Sequence, residues 1–314
     1  MSFEIPKLKY NGQIQESTLG QGETAVHVGG QTCYSFHLFE GDMPNLPKVA
    51  MEVYDRLPDG WPLAAIEPFK DVVGNPSRWA QKCVQEYGAD MICLQLASTD
   101  PNDLDTSPEE AVQTTLEVIQ SVGVPLIIWG TANPEKDSLV LIKIAESFPG
   151  KRLVIGPVEE KNYKQIAEVA IKNNHLIAAS SPIDINLAKQ LNILLMNNGL
   201  SPSDLLIDPT VSSIGYGIEY AYSIIERMRI AALTQHDDKL QMPILCNVAR
   251  EAWKSKEAGI TAADAPELGD ETNRGILLEA VSAMVLLLAG GDVMIMRHPK
   301  AISLVKEIVR ELAG

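Results

Sequence analysis

The chain has 314 residues, 46% of them hydrophobic and 5% aromatic, and a formal net charge of -15. That is enough apolar material for one large α/β domain or two small ones, with no sign of disorder or low complexity. The acidic surface repels phosphate backbones and anionic lipid, which argues against nucleic acid and membrane surfaces as partners.

The opening "MSFEIPKLKYNGQ" has no apolar signal core, so a cytoplasmic protein is expected. "TAVHVGGQTCYSFHLF" predicts a hairpin around Gly29 and Gly30, and "NLPKVAMEVYDRL" predicts a helix. Residues 1–60 are therefore expected to form an N-terminal hairpin and helix that cap one end of the main domain, 61–314.

From there short apolar runs recur, closed at one end by turn residues. They are "PLAAIE" (62–67), "DMICLQL" (90–96), "PLIIWG" (125–130), "RLVIGP" (152–157), "HLIAASS" (175–181), "DLLIDP" (204–209), "PILCNV" (243–248) and "DVMIMR" (292–297). Runs that do not alternate are the mark of strands buried on both faces, as in a parallel sheet. Helical patterns separate them. The pattern after the second run has Ser107 as cap, Pro108 at the first position, early acids and a closing Gly123. "AVSAMVLLLAGG" (280–291) is too short to span a bilayer and reads as a buried helix end. Eight strand–helix units predict a single (β/α)8 TIM barrel. A doubly wound sheet would carry a Gly-rich fingerprint after its first strand, and "IEPFKDVVGNPS" has none.

Barrel sites form at the C-terminal ends of the strands. That places Glu67, Gln95, Ser98, Thr99, Asp100, Gly130, Thr131 and Asn133 among the candidates. It adds Ser180, Ser181, Asp208, Thr210, Asn247, Arg250, Glu251, Arg297 and His298. Glu67 and Asp208 are the candidate acid and base, though strand-end carboxylates also cap neighbouring amides. His298 is the one histidine at a strand end, so no protein-ligated metal is expected. Arg297 and His298 offer donors to a ligand or partner, or simply form a turn. Cys33, Cys83, Cys93 and Cys246 lie in apolar stretches without a CxxC pair and read as buried, reduced thiols. There is no GxSxG elbow, P-loop or HExxH, and no catalytic residue is assigned.

"DPTVSSIGYGIEYAYSIIERMRIAAL" (208–233) combines a strand end, hydroxyls, two glycines and a long amphipathic run. Ile218, Ala221, Ile225, Met228 and Ala232 predict one buried stripe, with Arg227 and Arg229 outside it and Ser212 or Ser213 as N-cap. Gly215, Tyr216 and Gly217 exceed what a cap requires and point to ligand or partner contact. This stretch, "PILCNVAREAWKSKEA" and "LLLAGGDVMIMRHPKAISLVKEI" resemble the small subunit of the corrinoid iron–sulfur protein, the delta-type subunit of acetyl-CoA synthase/decarbonylase systems. The resemblance covers the whole barrel.

The resemblance implies a heterodimer with a large subunit that carries the iron–sulfur cluster and the main corrinoid-binding domain. It implies a corrinoid (cobamide) enclosed partly by this barrel's top. The complex would take a methyl group from methyltetrahydrofolate through a methyltransferase and deliver it to acetyl-CoA synthase. Within it, Thr210, Ser213, Ile214, Gly215 and Tyr216 would approach the corrin. Trp253 is either an aromatic wall or a packing residue, and Arg297 and His298 would touch corrin amides or the large subunit. Unclustered cysteines suit a chain that leaves the cluster to its partner. The alternative is a pterin-dependent methyltransferase barrel, with Asp208 and Asn247 holding the pterin. A Schiff-base aldolase would want a strand-end lysine, which none of the eight runs has.

Overall fold

A computed structural model describes residues 5–314. It opens with a small antiparallel hairpin, β1 (Ser17–Leu19) and β2 (Val26–Val28). The tight loop is 20–25, so Gly29 and Gly30 follow the second strand instead of forming the turn. Leu19 and Val28 share a buried cluster with Ala50, Met91, Ile127 and other inward residues of the barrel. Gly20 N–H donates to the Arg152 carbonyl at 3.1 Å, and Arg152 Nε donates to the Thr18 carbonyl at 3.0 Å. The hairpin thus plugs the barrel's N-terminal end, opposite the strand ends where a site would lie.

The barrel begins with β3 (Lys48–Tyr54), inside the segment read as a capping helix. Its burial explains the difference. Val49, Met51 and Val53 face the surrounding helices, while Ala50 and Glu52 face the barrel axis, a period of two. The run 62–67 is correspondingly not a strand. It holds a single helical turn, α1 (Leu63–Ile66), in which only Ala65 is buried. Glu67 follows on the surface in a 3-10 turn, ion-paired with Lys70 at 2.5 Å, and ends no strand.

The other seven strands fall where predicted. The order is α2 (Pro76–Gln85), β4 (Met91–Gln95), α3 (Pro108–Ser121), β5 (Leu126–Trp129), α4 (Pro134–Ser147) and β6 (Val154–Val158). Then come α5 (Tyr163–Asn173), β7 (Leu176–Ser180), α6 (Ile185–Asn197), β8 (Leu205–Asp208) and α7 (Ile218–Thr234). The chain ends with β9 (Leu245–Asn247), α8 (Val248–Lys254), α9 (Lys256–Gly259), α10 (Glu271–Ala289), β10 (Val293–Met296) and α11 (Pro299–Ala313). Ser107 caps α3 in a full capping box with Glu110.

The strands are parallel in the order β8-β7-β6-β5-β4-β3-β10-β9. Only an isolated bridge between Ile207 and Ile244 joins β8 to β9 and closes the (β/α)8 barrel. All four cysteines are buried free thiols.

Helix α10 is long and apolar enough to cross a bilayer by length and composition. Its inner face packs into the barrel wall, burying Ile276, Ala280, Ala283 and Leu287. On α7 Ala221, Ile225, Met228 and Ala232 of the stripe are buried as predicted, while Ile218, at the helix start, is only half-buried. Arg229 is buried as well, contrary to expectation. Its guanidinium pairs with Asp292 and donates to the carbonyls of Gly290 (2.8 Å) and Met242 (3.0 Å). A buried cation is tolerated when its donors are met this way.

Candidate functional site

Inward-facing residues at the C-terminal strand ends form a polar mouth. On one side Glu52 of β3 pairs with Arg297 at the end of β10, both guanidinium contacts falling on one carboxylate oxygen at 2.8 Å. Glu52 is fully buried and Arg297 is 3% exposed. The guanidinium carbon also lies 3.4 Å from the ring centroid of Trp61, in the loop after β3. Trp61 in turn meets Tyr54 edge-on. An aromatic face, a buried cation and a buried carboxylate therefore wall this side.

On the opposite side Ser180 Oγ donates to Asp208 at 2.7 Å, and Thr210 N–H donates to the other oxygen at 3.0 Å. Burial pushes the Asp208 carboxyl up to about 6, against those two hydrogen bonds and with help from the nearby Glu159 and Glu251 charges. Asn247 accepts from Arg250 N–H at 3.3 Å, while its buried amide nitrogen has no partner among the described residues. Gln95 donates to the Gly130 carbonyl at 2.7 Å, and its buried carbonyl oxygen has no partner among the described residues. The mouth thus brings together Gln95, Ser180, Asp208, Asn247 and Arg297.

Other strand-end residues serve the loops. Asn133 caps α4, and Asp137 receives the backbone N–H groups of Thr131 and Ala132, each at 2.9 Å. Ser98 donates to Asp55 and shares a hydrogen bond with Thr106.

The loop from Thr210 to Gly217 rises beside the mouth. Thr210 has φ +50°, unusual for a β-branched residue. Gly215 has φ +96°, and a Cβ there would stand 3.0 Å from Ser255 Cβ, so glycine is needed for both conformation and space. Neither serine caps the helix: Gly217 is the N-cap residue without a side-chain bond, and Ser213 Oγ is buried with no partner among the described residues. Tyr216 is 82% exposed, with Tyr220 exposed one turn on. A shallow cavity of about 300 Å³ separates Gly215 and Tyr216 from Glu251, Lys254 and Glu257.

Ser213 and Ile214 are buried beneath that loop. Trp253 packs inward against Gly275, where any side chain would collide with the indole, and its N–H donates to Glu279 at 2.9 Å. That is the packing role, not the exposed wall. Glu279 also accepts the backbone N–H groups of Arg297 (2.5 Å) and His298 (3.0 Å), yet burial pushes its carboxyl up to about 7. His298 stacks on Trp253, and its Nδ1 caps α11 by accepting from Lys300 N–H. Burial pushes His298 down to about 4, so it is neutral at physiological pH. Arg297 and His298 are therefore turned into the fold, away from the surface.

The sequence reading missed Glu52, Trp61, Glu159 and Glu279. Only Glu52 had a legible signal, the alternation of Val49, Met51 and Val53 around it.

Fold and site define a (β/α)8-barrel protein with a polar, carboxylate-bearing mouth and an exposed aromatic loop beside it. Residues 16–310 match the family model described as CO dehydrogenase/acetyl-CoA synthase delta subunit. The chain belongs to that family. It is 38% identical over 308 residues to the acetyl-CoA decarbonylase/synthase complex subunit delta of Methanothermobacter thermautotrophicus, covering 98% of this chain and 77% of that one. It is 36% identical over 324 residues to the Archaeoglobus fulgidus protein of the same name, covering 99% and 71%. Among solved structures, Xanthomonas albilineans dihydropteroate synthase with 4-aminobenzoic acid superposes with TM-score 0.58 at 14% identity, over 87% of this chain and 94% of that one. Yersinia pestis dihydropteroate synthase gives 0.53 at 12% identity, over 87% and 96%. At such identity the likeness is one of fold.

Proposed function

We propose that this chain is the small subunit of a heterodimeric corrinoid iron–sulfur methyl carrier in the reductive acetyl-CoA pathway. The observation that carries the reading is the family match, which runs from the hairpin plug through the whole barrel. Relatives named as subunits of the acetyl-CoA decarbonylase/synthase complex support an assembled protein, which we place in the cytoplasm. Its partners are the large subunit, which carries the iron–sulfur cluster, a methyltetrahydrofolate:corrinoid methyltransferase, and acetyl-CoA synthase. The corrinoid is shared between the two subunits.

The upper face suits a flat macrocycle fringed with amides. Gly215 leaves the backbone bare, Tyr216 and Tyr220 present rings, and Glu251 offers an acceptor to amide N–H groups. When bound, the corrinoid supplies a cobalt centre that accepts and releases a methyl group. The chain's own part is to bind, orient and exclude water. Tyr216 and Tyr220 cover the ligand, Gly215 lets it approach, and buried Ser213, Ile214, Trp253, Arg297 and His298 hold the loop and rim from beneath. His298 is buried beneath the rim with its Nδ1 committed to a helix cap, so it would not reach a corrinoid on the upper face.

The test is anaerobic co-purification with the large subunit, followed by cobalt and iron analysis. The reading expects a 1:1 complex containing both metals, a nearly colourless small chain by itself, and weaker corrinoid retention in the Tyr216→Ala complex. A chain that stays alone and binds methyltetrahydrofolate would overturn it in favour of a pterin-dependent methyltransferase, with Asp208 and Asn247 as the pterin-holding pair.

A further inference from the structure

A small cavity of about 170 Å³ opens at the barrel's lower rim, at the far end from the mouth. It lies between the starts of β3 and β10 and the C-terminal halves of α10 and α11. Val49, Met294, Leu287 and Val305, all core residues, form its apolar floor. Three cations and one acid complete the lining: Lys48, Lys306, Arg310 and Asp90. That ratio reverses the chain's own, 41 acidic to 26 basic residues.

Asp90 is already engaged. One of its oxygens accepts the Val49 N–H at 3.1 Å and pairs with Lys306 at 2.9 Å. Lys306 also donates to the Gly88 carbonyl at 2.7 Å, which leaves one of its three N–H groups free. Lys48 and Arg310 have no ion-pair partner among the described residues. Arg310 stands in the last turn of α11, where a cation complements the helix dipole. The dipole does not account for Lys48, which lines the same cavity from a strand. Unpaired cations beside an apolar floor match an anion that carries an apolar body. The volume is below the roughly 300–1,000 Å³ typical for drug-sized ligands, so that body is small. The planar fork of arginine matches the two oxygens of a carboxylate.

We propose that this cavity binds a small organic acid, its carboxylate held by Arg310 and Lys48 and its apolar end over Val49 and Val305. The cavity is at the opposite end of the barrel from the Tyr216 loop, so the proposal holds or fails independently of the corrinoid reading.

The probe is para-fluorobenzoate, titrated with the full chain and followed by fluorine NMR line width at low ionic strength, where screening is weak. Para-fluorobenzamide keeps the shape without the charge, and inorganic phosphate keeps the charge without the ring. The proposal expects saturable broadening of the acid at millimolar concentration or below and none of the amide. It also expects weaker displacement by phosphate than by unlabelled benzoate. Arg310→Gln and Lys48→Gln should each weaken binding about threefold or more, and the double variant about tenfold. Lys48 is half-buried and Arg310 exposed, and a thermal melt of each variant checks that it folds. Lys172→Gln, on the exposed face of α5, controls for general loss of positive charge and should leave binding unchanged. No saturable binding in the millimolar range, equal binding of the amide, phosphate as effective as benzoate, a double variant that binds as tightly as the parent, or an equal loss in Lys172→Gln would overturn it.

Discussion

Replacing Arg297 with methionine removes a cation from a site that water does not reach. The pair it makes with Glu52 spans 245 residues of sequence and is 2.8 Å long. At an effective dielectric of about 20, two unit charges at that distance attract by roughly 6 kcal/mol. The contact with Trp61 adds up to about 2 kcal/mol. Against both stands the desolvation of the guanidinium, several kcal/mol, which the variant no longer bears. What the variant keeps is Glu52, buried with one oxygen already lacking a partner among the described residues. Stranding a buried partner in this way costs about 3–5 kcal/mol. In a chain of this size that lowers the melting temperature by roughly 5–8 °C. Urea denaturation and calorimetry of Arg297→Met, Glu52→Leu and the double variant measure it. The double variant should recover most of the loss, because no charge is left without a partner. A single-variant loss below about 1 kcal/mol, or a double variant as damaged as Arg297→Met, would refute the reasoning.

Asp208 and Glu279 should each make stability fall as pH rises from about 4 to about 7, opposed below about pH 6.5 by His298, which is neutral in the folded protein while the unfolded chain's imidazole is protonated. Asp208 and Glu279 have folded-state pKa values near 6 and 7, above their unfolded values, so in this window the folded protein holds protons that the unfolded chain has released. Asp208→Asn should remove its share of this fall between about pH 4 and 6, worth at most about 3 kcal/mol, as read from denaturation midpoints across that range. Gly215→Ala should cost about 1–2 kcal/mol by the same measurement, since alanine must adopt φ +96° and press against Ser255. An unchanged midpoint would contradict the loop conformation.

Seven of the eight barrel strands were legible because a strand buried on both faces leaves an apolar run bounded by turns. The eighth was obscured by its own contribution to the mouth. Glu52 interrupts "KVAMEVYDRL" with a charge, and such a segment looks like one face of a helix until its partner at Arg297 is known. "PLAAIE" erred the other way: its apolar character belongs to a turn of helix carrying one buried residue. Arg229 shows the same limit, because nothing near it in sequence announces Asp292. The mouth residues Gln95, Ser180, Asp208 and Asn247 could be found by position alone, since barrel topology fixes where strand ends meet. The inward turn of Trp253, Arg297 and His298 could not, because it depends on Glu279, an acid inside an otherwise apolar helix.

The barrel's closure has a mechanical consequence. Every neighbouring pair of strands shares a ladder except β8 and β9, which meet at one bridge. Asp208 ends one of these strands and Asn247 the other, so the two mouth residues stand on opposite lips of the least-stitched seam. A slight parting there would widen the gap between them and tilt the Thr210–Gly217 loop, while the other ladders keep their register. Amide exchange should therefore be fastest along this seam among the barrel strands, making it the compliant stave of an otherwise stiff hoop.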